Sequence, residues 1–533
     1  MINFIKRFNL NLLFFIGVLV LGCKTPKLNT ASMNIVKIQS GTISGIVLDS
    51  VNELVAFKGI PYAQPPVGEL RWRPTKKIDN WKGIKPCEEF GASCPQIDNN
   101  NLIDNMSEDC LCLNVWTTQV NKSKKLPVMV WIHGGGLNMG TTSRSYYNGR
   151  YFAENGVVLV SVNYRLGQLG FLSHPKLSEE SEHGVSGNYG YLDQIEALKW
   201  IKNNIASFGG DPNNITLFGE SAGGTAVSVL SASPLAKGLF HKAIIQSPWL
   251  FGFTSNTAKP NVLRLKDALA NLPSAEKMGA DWASKYVDNN DKNQLNKLRA
   301  LDALKLTKQE AYYETRSTID DWLLPDYPEA VFNKGLQADI PMIIGTNREE
   351  GFYYWKYLKQ KTKEDFIESL TDFYGADAKS VVEMYVELTN SLDELKVAIA
   401  RYITDAWFVE PSKHLLNGMA KMKSDVYQYQ FTVPNRMYPQ LGAIHASELT
   451  YVFNTLADDA SEKDKAIAKT MIKYWTSFAK TGNPNQQGLP FWKSYSDRNK
   501  NYLEIGKTIV SKENSECKNC DTIRVLKVNR YKQ

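Results

Sequence analysis

The segment Gly219-Glu220-Ser221-Ala222-Gly223 combines residue types that could carry out nucleophilic chemistry. It follows an apolar run at 215–218 and precedes a small-residue stretch at 222–230, which together predict a tight turn from a strand into a helix. A serine on such a turn projects its hydroxyl clear of the sheet, and the helix after it directs N–H groups toward developing negative charge. The pentapeptide alone often arises by chance, so the inference depends on this context. We predict that Ser221 is a nucleophile.

A second glycine-rich segment, His133-Gly134-Gly135-Gly136, follows an apolar run that ends at Ile132. Attack on a carbonyl produces an oxyanion, which nearby backbone N–H groups stabilise. Residues without a Cβ let that backbone approach the substrate oxygen. An isolated glycine cluster would indicate only a turn, but its position ahead of the serine turn favours an oxyanion loop. We predict donors at Gly135 and Gly136, together with Ala222 beside the nucleophile.

Short apolar runs bounded by glycine, proline or asparagine predict the sheet that holds these segments. The runs are 128–132, 157–162, 215–218, 243–245 and 342–344. They are rich in β-branched residues, which is typical of buried, mostly parallel strands. Apolar residues recur every three or four positions over 192–205, so we predict a helix there that ends near Gly209. Alternating strands and helices predict an α/β fold, with ligands bound at the carboxyl ends of the strands.

Three further features complete the predicted architecture. Residues 34–58 alternate apolar and polar side chains, which predicts short antiparallel strands. Residues 255–335 and 355–440 have mainly helical, polar-faced patterns, and we expect them to be insertions that wall or roof the site. The chain contains no internal repeat, so we predict one domain over 34–533.

Several motifs, in order along the chain, resemble the type-B carboxylesterases, the family that also contains the cholinesterases. Besides the two glycine-rich segments, they are Phe57-Lys58-Gly59-Ile60-Pro61-Tyr62-Ala63, Ser107-Glu108-Asp109-Cys110-Leu111, Asn163-Tyr164-Arg165-Leu166-Gly167, Gly187-Asn188-Tyr189-Gly190, Phe208-Gly209-Gly210-Asp211-Pro212 and Phe478-Ala479-Lys480-Thr481-Gly482-Asn483-Pro484. The resemblance covers nearly all of the chain after the N-terminal segment. It implies an α/β-hydrolase that cleaves carboxylic esters through an acyl-enzyme intermediate.

The resemblance also implies a general base for Ser221. Hydrolases of this fold place the acid and then the histidine after the nucleophile. Of the six histidines, His445 lies late in the chain, within a segment at 443–449 that is similar to the family's catalytic histidine segment. His414 lies in a helix-like run, and we expect it at the surface or in packing.

The acid partner is implied by the segment Gly345-Thr346-Asn347-Arg348-Glu349-Glu350-Gly351, which follows the apolar run at 342–344. The family places its triad glutamate directly before the glycine, which selects Glu350 over Glu349. Its role would be to hold the imidazole tautomer and to stabilise the charged imidazole.

Supporting residues are also carried over from the family. Glu220 resembles a second carboxylate near the triad, and Ser247 resembles a buried serine behind it, although Pro248 stands where the family usually has glycine. Glu108 and Arg165 are expected to form a structural ion pair.

The cysteines favour an oxidising compartment. Seven cysteines, less one at the predicted lipidation site Cys23, leave an even number: Cys87, Cys94, Cys110, Cys112, Cys517 and Cys520. The resemblance implies a disulfide between Cys94 and Cys110. The C-x-x-C spacing of Cys517 and Cys520 is found in metal and redox sites, but without a second such pair it favours a local disulfide.

The first residues predict export. Lys6 and Arg7 precede an apolar run at 10–21, which is too short for a confident membrane span and fits a signal peptide at 1–22. Cys23 ends a sequence similar to the bacterial lipobox, so we expect a lipid-anchored tether at 23–33, facing the outside of a bacterial membrane and more specifically the outer membrane. A plain secretory signal is the alternative.

Charge and composition limit the classes of molecule that the chain could bind. The formal charge of +7 is mild and its lysines and arginines are scattered, which argues against nucleic-acid binding. We expect a small-molecule ester substrate, no metal and no cofactor, and the sequence identifies no protein partner. The polar loop at 95–109 lacks the tryptophan with which cholinesterases bind choline. The alternatives are an esterase specialised for aromatic, polyester or carbohydrate-linked esters and a non-catalytic binding module.

Overall fold

The computed structural model describes residues 34–96, 103, 105–254, 257–260, 262–268, 272–307, 313–386, 391–515 and 517–531. The predicted signal peptide at 1–22 and the predicted tether at 23–33, which includes Cys23, lie outside these residues. Among the helices of the described part, we find none with the length and apolar character needed to cross a bilayer.

Strands and helices are numbered in chain order. The strands are β1 (Ile35–Ile38), β2 (Gly41–Ser44), β3 (Ile46–Asp49), β4 (Leu54–Pro61), β5 (Ile84–Pro86), β6 (Cys112–Thr117), β7 (Leu126–Ile132), β8 (Val158–Val162), β9 (Gly210–Glu220), β10 (Lys242–Gln246), β11 (Phe251–Thr254), β12 (Thr257–Pro260), β13 (Val262–Arg264), β14 (Ser317–Ile319), β15 (Met342–Asn347), β16 (Val426–Phe431), β17 (Asn501–Ile505) and β18 (Ile509–Glu513). The α-helices are α1 (Arg150–Glu154), α2 (Gly167–Phe171), α3 (Pro175–Glu179), α4 (Tyr189–Asn204), α5 (Ala222–Ala232), α6 (Ala275–Ala283), α7 (Gln294–Arg299), α8 (Ala303–Leu306), α9 (Pro328–Asn333), α10 (Lys363–Tyr374), α11 (Ala378–Glu383), α12 (Leu392–Ile403), α13 (Glu410–Met419), α14 (Leu449–Val452), α15 (Glu462–Thr481) and α16 (Cys520–Tyr531).

One large sheet organises the molecule, in the order β18-β17-β16-β15-β10-β9-β7-β8-β6-β4-β3. Its central strands, from β17 to β8, are parallel, and antiparallel strands flank them at both edges. A smaller sheet contains β1, β2 and β5. The predicted mostly parallel sheet is confirmed, as are the antiparallel strands expected over 34–58.

The parallel strands are apolar throughout because both faces of the sheet are covered. In β7, Val128, Val130 and Ile132 join one apolar cluster, whereas Met129 and Trp131 join the cluster on the opposite face. Helices α4 and α5 contribute to the first cluster, and α14 and α15 contribute to the second. The helix predicted over 192–205 corresponds to α4 and the turn after it.

The five predicted buried strands correspond to β7, β8, β9, β10 and β15. Because these strands are parallel, their carboxyl ends lie at one edge of the sheet. The segments that follow β7, β9 and β15 there begin at His133, Ser221 and Arg348. The topology therefore brings the predicted site segments to a common edge.

One element of the region 355–440 differs from the prediction. Helices α10 to α13 fill most of it as expected, but Val426–Phe431 forms β16, between β15 and β17. The sequence Val-Tyr-Gln-Tyr-Gln-Phe alternates apolar and polar residues, which is typical of a strand. The other insertion, 255–335, contains α6 to α9 and the short strands β12 to β14.

The predicted ion pair between Glu108 and Arg165 is wrong. The guanidinium of Arg165 instead forms a two-pronged pair with the fully buried carboxylate of Asp193 on α4, at 2.7 and 2.8 Å. Glu108 pairs in the same way with Arg71, at 2.6 and 2.7 Å. Each carboxylate accepts two parallel hydrogen bonds, which is the preferred geometry for arginine. The first pair joins the segment after β8 to α4, and the second joins two loops of the N-terminal part.

Two disulfides are present in the described residues. Cys94 is bonded to Cys110, as the resemblance implied, and Cys517 is bonded to Cys520, as the short spacing predicted. Cys87 and Cys112 are free thiols, and both are buried.

Candidate active site

Ser221 lies on a strained turn between β9 and α5. Its φ of 58° and ψ of −122° place a non-glycine residue in a region that side chains rarely adopt. A Cβ on Gly219 would lie 2.6 Å from the carbonyl group of Gly223, and a Cβ on Gly223 would lie 2.1 Å from the carbonyl oxygen of Ile132. Only glycine fits at either position, because a side chain there would overlap the neighbouring backbone.

Glu350 follows β15 and is completely buried. Its Oε2 lies 2.7 Å from Nδ1 of His445, and its Oε1 accepts hydrogen bonds from Ser247 Oγ at 2.5 Å and from the Asn347 backbone N–H at 2.7 Å. An ionised carboxylate only accepts, so Nδ1 must donate and Nε2 is left to act as a base. Ser247 makes the expected contact despite the Pro248 that follows it.

The carboxylate of the neighbouring residue, Glu349, has different hydrogen-bond partners. It accepts hydrogen bonds from the Ala443 backbone N–H at 2.7 Å and from Arg348 Nε at 2.6 Å. It therefore holds the start of the histidine loop but does not contact His445. The choice of Glu350 over Glu349 agrees with this geometry.

The loop that carries His445 is fixed by a buried network at the end of β15. The Asn347 side chain donates to the Ile444 carbonyl at 2.9 Å and to Glu448 at 2.7 Å. Glu448 also accepts from Gln246 at the end of β10, at 3.1 Å. The ends of β10 and β15 thus position the histidine loop through the side-chain amides of Gln246 and Asn347 and the carboxyl group of Glu448.

Glu220 directly precedes the nucleophile and contacts the imidazole. Its Oε1 is 3.2 Å from Nε2 of His445, the ring nitrogen that would accept the serine proton. Within the described part of the chain, the Ser221 hydroxyl makes no hydrogen bond, and His445 and Ser221 are both almost buried. In many hydrolases the hydrogen bond between nucleophile and base tightens only when substrate binds. The residue directly before Ser221 in the chain is thus in contact with the imidazole.

Burial and neighbouring charge set the protonation of this site. Burial is the largest cause that raises the pKa of Glu220 to about 8; His445 opposes this rise, and the Glu448 and Glu350 carboxylates add to it. Burial alone would lower the pKa of His445, but Glu220 and Glu350 outweigh it and raise the pKa to about 9. The imidazole is therefore a stronger base than an ordinary histidine, whose pKa is about 6.5.

The conformation of the oxyanion loop depends on its glycines. Gly135 and Gly136 have φ values of 113° and 62°, and a Cβ on Gly135 would lie 2.0 Å from the Met139 carbonyl oxygen. The amides of Gly135, Gly136 and Ala222 donate no hydrogen bond to any described residue. Three available N–H groups near Ser221 are what a developing oxyanion requires.

His133 supports this loop structurally. Its ring stacks on Tyr164 with centroids 4.5 Å apart, and its Nδ1 lies 2.8 Å from the Gly134 carbonyl oxygen. Burial lowers the pKa of His133 to about 4, so the ring stays neutral at physiological pH. It shapes the loop and does not act as a base.

Aromatic rings that sequence reasoning did not identify surround His445. Phe408 lies 4.6 Å from its ring centroid, Tyr353 lies 5.8 Å away and Tyr354 lies 6.4 Å away. Phe408 belongs to a π-helical turn, Thr404–Val409, between α12 and α13. The aromatic residues directly after Glu350 are visible in the sequence and could have indicated these contacts. No sequence pattern indicates the π-helical turn that carries Phe408. These rings shield the imidazole from water, and the ring of Tyr353 is exposed beside it.

The chain matches the model of the family described as "Carboxylesterase family" over residues 32–523. It is 36% identical over 488 residues to a fumonisin B1 esterase of Sphingopyxis macrogoltabida, covering 86% of this chain and 84% of that protein. It is 31% identical over 500 residues to a para-nitrobenzyl esterase of Bacillus subtilis, covering 90% of this chain and 96% of that protein.

A solved structure of a PNB esterase superimposes with a TM-score of 0.78 at 30% identity, covering 92% of this chain and 100% of that one. The match covers most of both chains, so the solved structure and the family model agree. The chain belongs to the carboxylesterase family and is a serine carboxylic-ester hydrolase with the α/β-hydrolase fold.

Proposed function

We propose that hydrolysis proceeds through an acyl-enzyme on Ser221, with His445 as the general base and Glu350 as its acid partner. The observation that carries this proposal is the buried contact between Glu350 and Nδ1 of His445, which leaves Nε2 facing the Glu220–Ser221 turn. In the first step, the Ser221 oxygen bonds to the ester carbonyl carbon while its proton passes to Nε2. The carbonyl oxygen becomes an oxyanion that accepts hydrogen bonds from Gly135, Gly136 and Ala222.

Collapse of this intermediate breaks the bond to the alcohol, which takes the proton from His445. Water then attacks the acyl-enzyme, with His445 again accepting and returning a proton, and Ser221 is released together with the carboxylic acid. Glu350 holds the ring and stabilises its charged form throughout. Ser247 acts through Glu350, because its hydroxyl donates to the same carboxylate.

The substrate that we propose is a small-molecule carboxylic ester with an apolar part against the rings of Tyr353 and Tyr354. The relatives are named for different substrates, para-nitrobenzyl esters and fumonisin B1, so they support the reaction class and no single alcohol. A specialised aromatic ester remains compatible with the rings. A non-catalytic binding module is disfavoured, since nucleophile, imidazole, carboxylate and free amides lie together.

Replacement of the nucleophile tests the proposal. Ser221→Ala should lower hydrolysis of 4-nitrophenyl butyrate by several orders of magnitude, since loss of a triad serine elsewhere costs on the order of a million-fold. The far-ultraviolet circular dichroism spectrum should be unchanged. Comparable turnover by a purified Ser221→Ala variant would show that another group attacks the ester.

The acid partner has a matched control beside it. Glu350→Gln should reduce kcat at least about a hundredfold, because an amide cannot stabilise the charged imidazole, and a carboxylate-to-amide change in another triad costs about 10⁴-fold. Glu349→Gln should reduce kcat by less than about threefold, because Glu349 pairs with Arg348 and does not contact His445. The reverse order of the two losses would assign the role to Glu349.

The pH profile tests the electrostatic role of Glu220. His445 must be neutral to accept a proton, so kcat/KM should fall as pH drops through its raised pKa, above the ordinary value of about 6.5. Glu220→Gln removes a carboxylate that raises this pKa, and the acidic limb should therefore move to lower pH. Glu349→Gln should leave the limb in place. If the acidic limb of Glu220→Gln lay at the same pH as in the wild type or at a higher pH, Glu220 would not raise the pKa of His445.

For the location of the enzyme, we propose export and lipid attachment at Cys23, with the enzyme anchored to the outer face of a bacterial membrane, and we place it at the outer membrane. The support is the sequence before residue 33, where a short apolar run ends at this cysteine. Wild-type protein in its native host should incorporate labelled fatty acid and sediment with membranes. Cys23→Ala should lose both properties, whereas Ser221→Ala should keep them. Unlabelled wild-type protein with a different mature N-terminus would refute the anchor.

A further inference from the structure

The π-helical turn Thr404–Val409 interrupts a long helical segment, with α12 directly before it and α13 directly after it. Its residues Ala406, Trp407 and Phe408 are buried. Turns of this kind are rare inside α-helices and are frequently found at functional sites. Residues near both ends of this turn reach the catalytic acid–base pair.

Thr404 contacts the segment that carries the acid. The backbone N–H of Gly351, the residue after Glu350, donates to Thr404 Oγ1 at 2.9 Å, and the hydroxyl donates in turn to the Ala400 carbonyl at 2.9 Å. A Cβ on Gly351 would lie 2.0 Å from the Ala400 carbonyl oxygen, so α12 and this segment are in close backbone contact. Without the Thr404 hydroxyl, a buried N–H next to Glu350 would lose its acceptor, which costs free energy.

Phe408, near the other end of the turn, contacts the base. Its ring is completely buried, and its centroid lies 4.6 Å from that of the His445 ring. The neighbouring Trp407 packs edge-on against Tyr354, whose ring is 6.4 Å from His445. One helical turn therefore contacts both the segment of the acid and the imidazole of the base.

The backbone of the turn deprives one carbonyl group of its usual helical donors. In an α-helix the Ala406 carbonyl would accept the N–H of Glu410, but that N–H donates to the Asp405 carbonyl instead. The next residue along the chain is Pro411, which has no N–H. Lys527 of α16 supplies a donor in their place, because its Nζ lies 2.6 Å from the Ala406 carbonyl oxygen.

Lys527 is itself held by a buried ion pair. Its ammonium donates to Glu410 Oε2 at 2.7 Å, and the two side chains are only 4% and 5% exposed. A buried ammonium is costly unless an opposite charge and hydrogen bonds replace its lost water. Here α13 supplies the charge and the π-helical turn supplies the carbonyl. The C-terminal helix α16 is thereby tied to the turn that carries Phe408.

We propose that the turn Thr404–Val409 positions the acid–base pair of the enzyme, with Thr404 and Lys527 as positioning residues. Thr404 holds the segment of Glu350, and Lys527 keeps the turn in its π-helical form. Both act through the contact between Glu350 and Nδ1 of His445, where a displacement of about 1 Å can cost about a hundredfold in rate. This role rests on the catalytic triad proposed above.

Two replacements of Thr404 separate its hydroxyl from its shape. Thr404→Val keeps the shape and removes the acceptor of the Gly351 N–H, so kcat for 4-nitrophenyl butyrate should fall about tenfold to a hundredfold, with KM within about threefold. Thr404→Ser keeps the hydroxyl, and its kcat should stay within about threefold of the wild type. Each kcat is expressed per Ser221 labelled to completion by diethyl 4-nitrophenyl phosphate, so that unfolded protein is not counted.

Thr117 offers a matched control at the opposite edge of the sheet. It is fully buried, and its hydroxyl accepts the Gln119 backbone N–H at 3.0 Å and donates to the Phe208 carbonyl at 2.8 Å. These are the same two kinds of hydrogen bond that Thr404 makes. Thr117 ends β6, which is antiparallel to β8 and therefore ends at the edge opposite the site. Thr117→Val should lower stability but keep kcat per labelled site within about threefold.

The pH profile is a second readout, which a purely structural role would leave unchanged. Burial lowers the pKa of His445, and the charge of Glu220 opposes that effect. Glu350, through its charge and its hydrogen bond, and Glu448 also raise this pKa. A weaker contact with Glu350 in Thr404→Val should therefore move the acidic limb of kcat/KM to lower pH, whereas the control variant should leave it in place.

Lys527 is tested by a variant that removes both charges of its ion pair. Removal of one partner of a buried pair destabilises a protein strongly, whereas replacement of both is often neutral. Lys527→Met/Glu410→Gln removes the ammonium that donates to the Ala406 carbonyl, and kcat per labelled site should fall about tenfold. The exposed pair of Lys512 and Glu504 gives the control, since Lys512→Met/Glu504→Gln should stay within about threefold.

Three results would overturn the proposal. One is a Thr404→Val variant whose kcat per labelled site and acidic limb equal those of the wild type. Another is an equal loss of kcat in Thr404→Val and Thr117→Val, which would assign the hydroxyl a structural role. The third is an unchanged kcat in Lys527→Met/Glu410→Gln, which would show that the turn does not depend on the ammonium. Wild-type activity in Glu350→Gln would instead refute the triad itself, so the two failures are distinguishable.

Discussion

The buried carboxylate of Glu350 is the interaction on which the site depends. A carboxylate with no exposed surface is costly unless hydrogen bonds replace its lost water. Here the imidazole of His445, the hydroxyl of Ser247 and the backbone of Asn347 supply those hydrogen bonds from three separate segments. Removing one partner of a buried charge typically costs about 3–5 kcal/mol, so the arrangement resists displacement. The ring is consequently fixed before any substrate arrives.

The sheet makes this convergence possible. Strands β9, β10 and β15 are adjacent and parallel, so Ser221, Ser247 and Glu350 follow strand ends at one edge. The backbone strain at Ser221 is compatible with this setting, because its N–H donates to the Gln246 carbonyl of β10 at 3.0 Å and glycines clear the space around the turn. The same strand end thus supports the nucleophile and, through Ser247, the acid.

The sequence predicted the structure correctly where the residue types of a short segment determine its conformation. The serine turn needs its two glycines, and the buried parallel strands are apolar throughout, so both could be predicted from residue types. Strand β16 was not predicted, because Gln428 and Gln430 interrupt its apolar run. The predicted ion pair between Glu108 and Arg165 was wrong because the partner of a charged side chain depends on its position in three dimensions. In the structure, Arg165 pairs with Asp193 on α4. Likewise, only the fold reveals that the Phe408 ring contacts His445.

The central claim is that Ser221 is made nucleophilic by His445 and Glu350, and covalent labelling tests it most directly. The protein is incubated with a diethyl 4-nitrophenyl phosphate, digested, and analysed by mass spectrometry while the labelling rate is followed. The account predicts one diethyl phosphate adduct, on Ser221, and a rate that falls at least about a hundredfold in Glu350→Gln. An unlabelled wild-type protein, an adduct on another residue, or an undiminished rate in Glu350→Gln would contradict it.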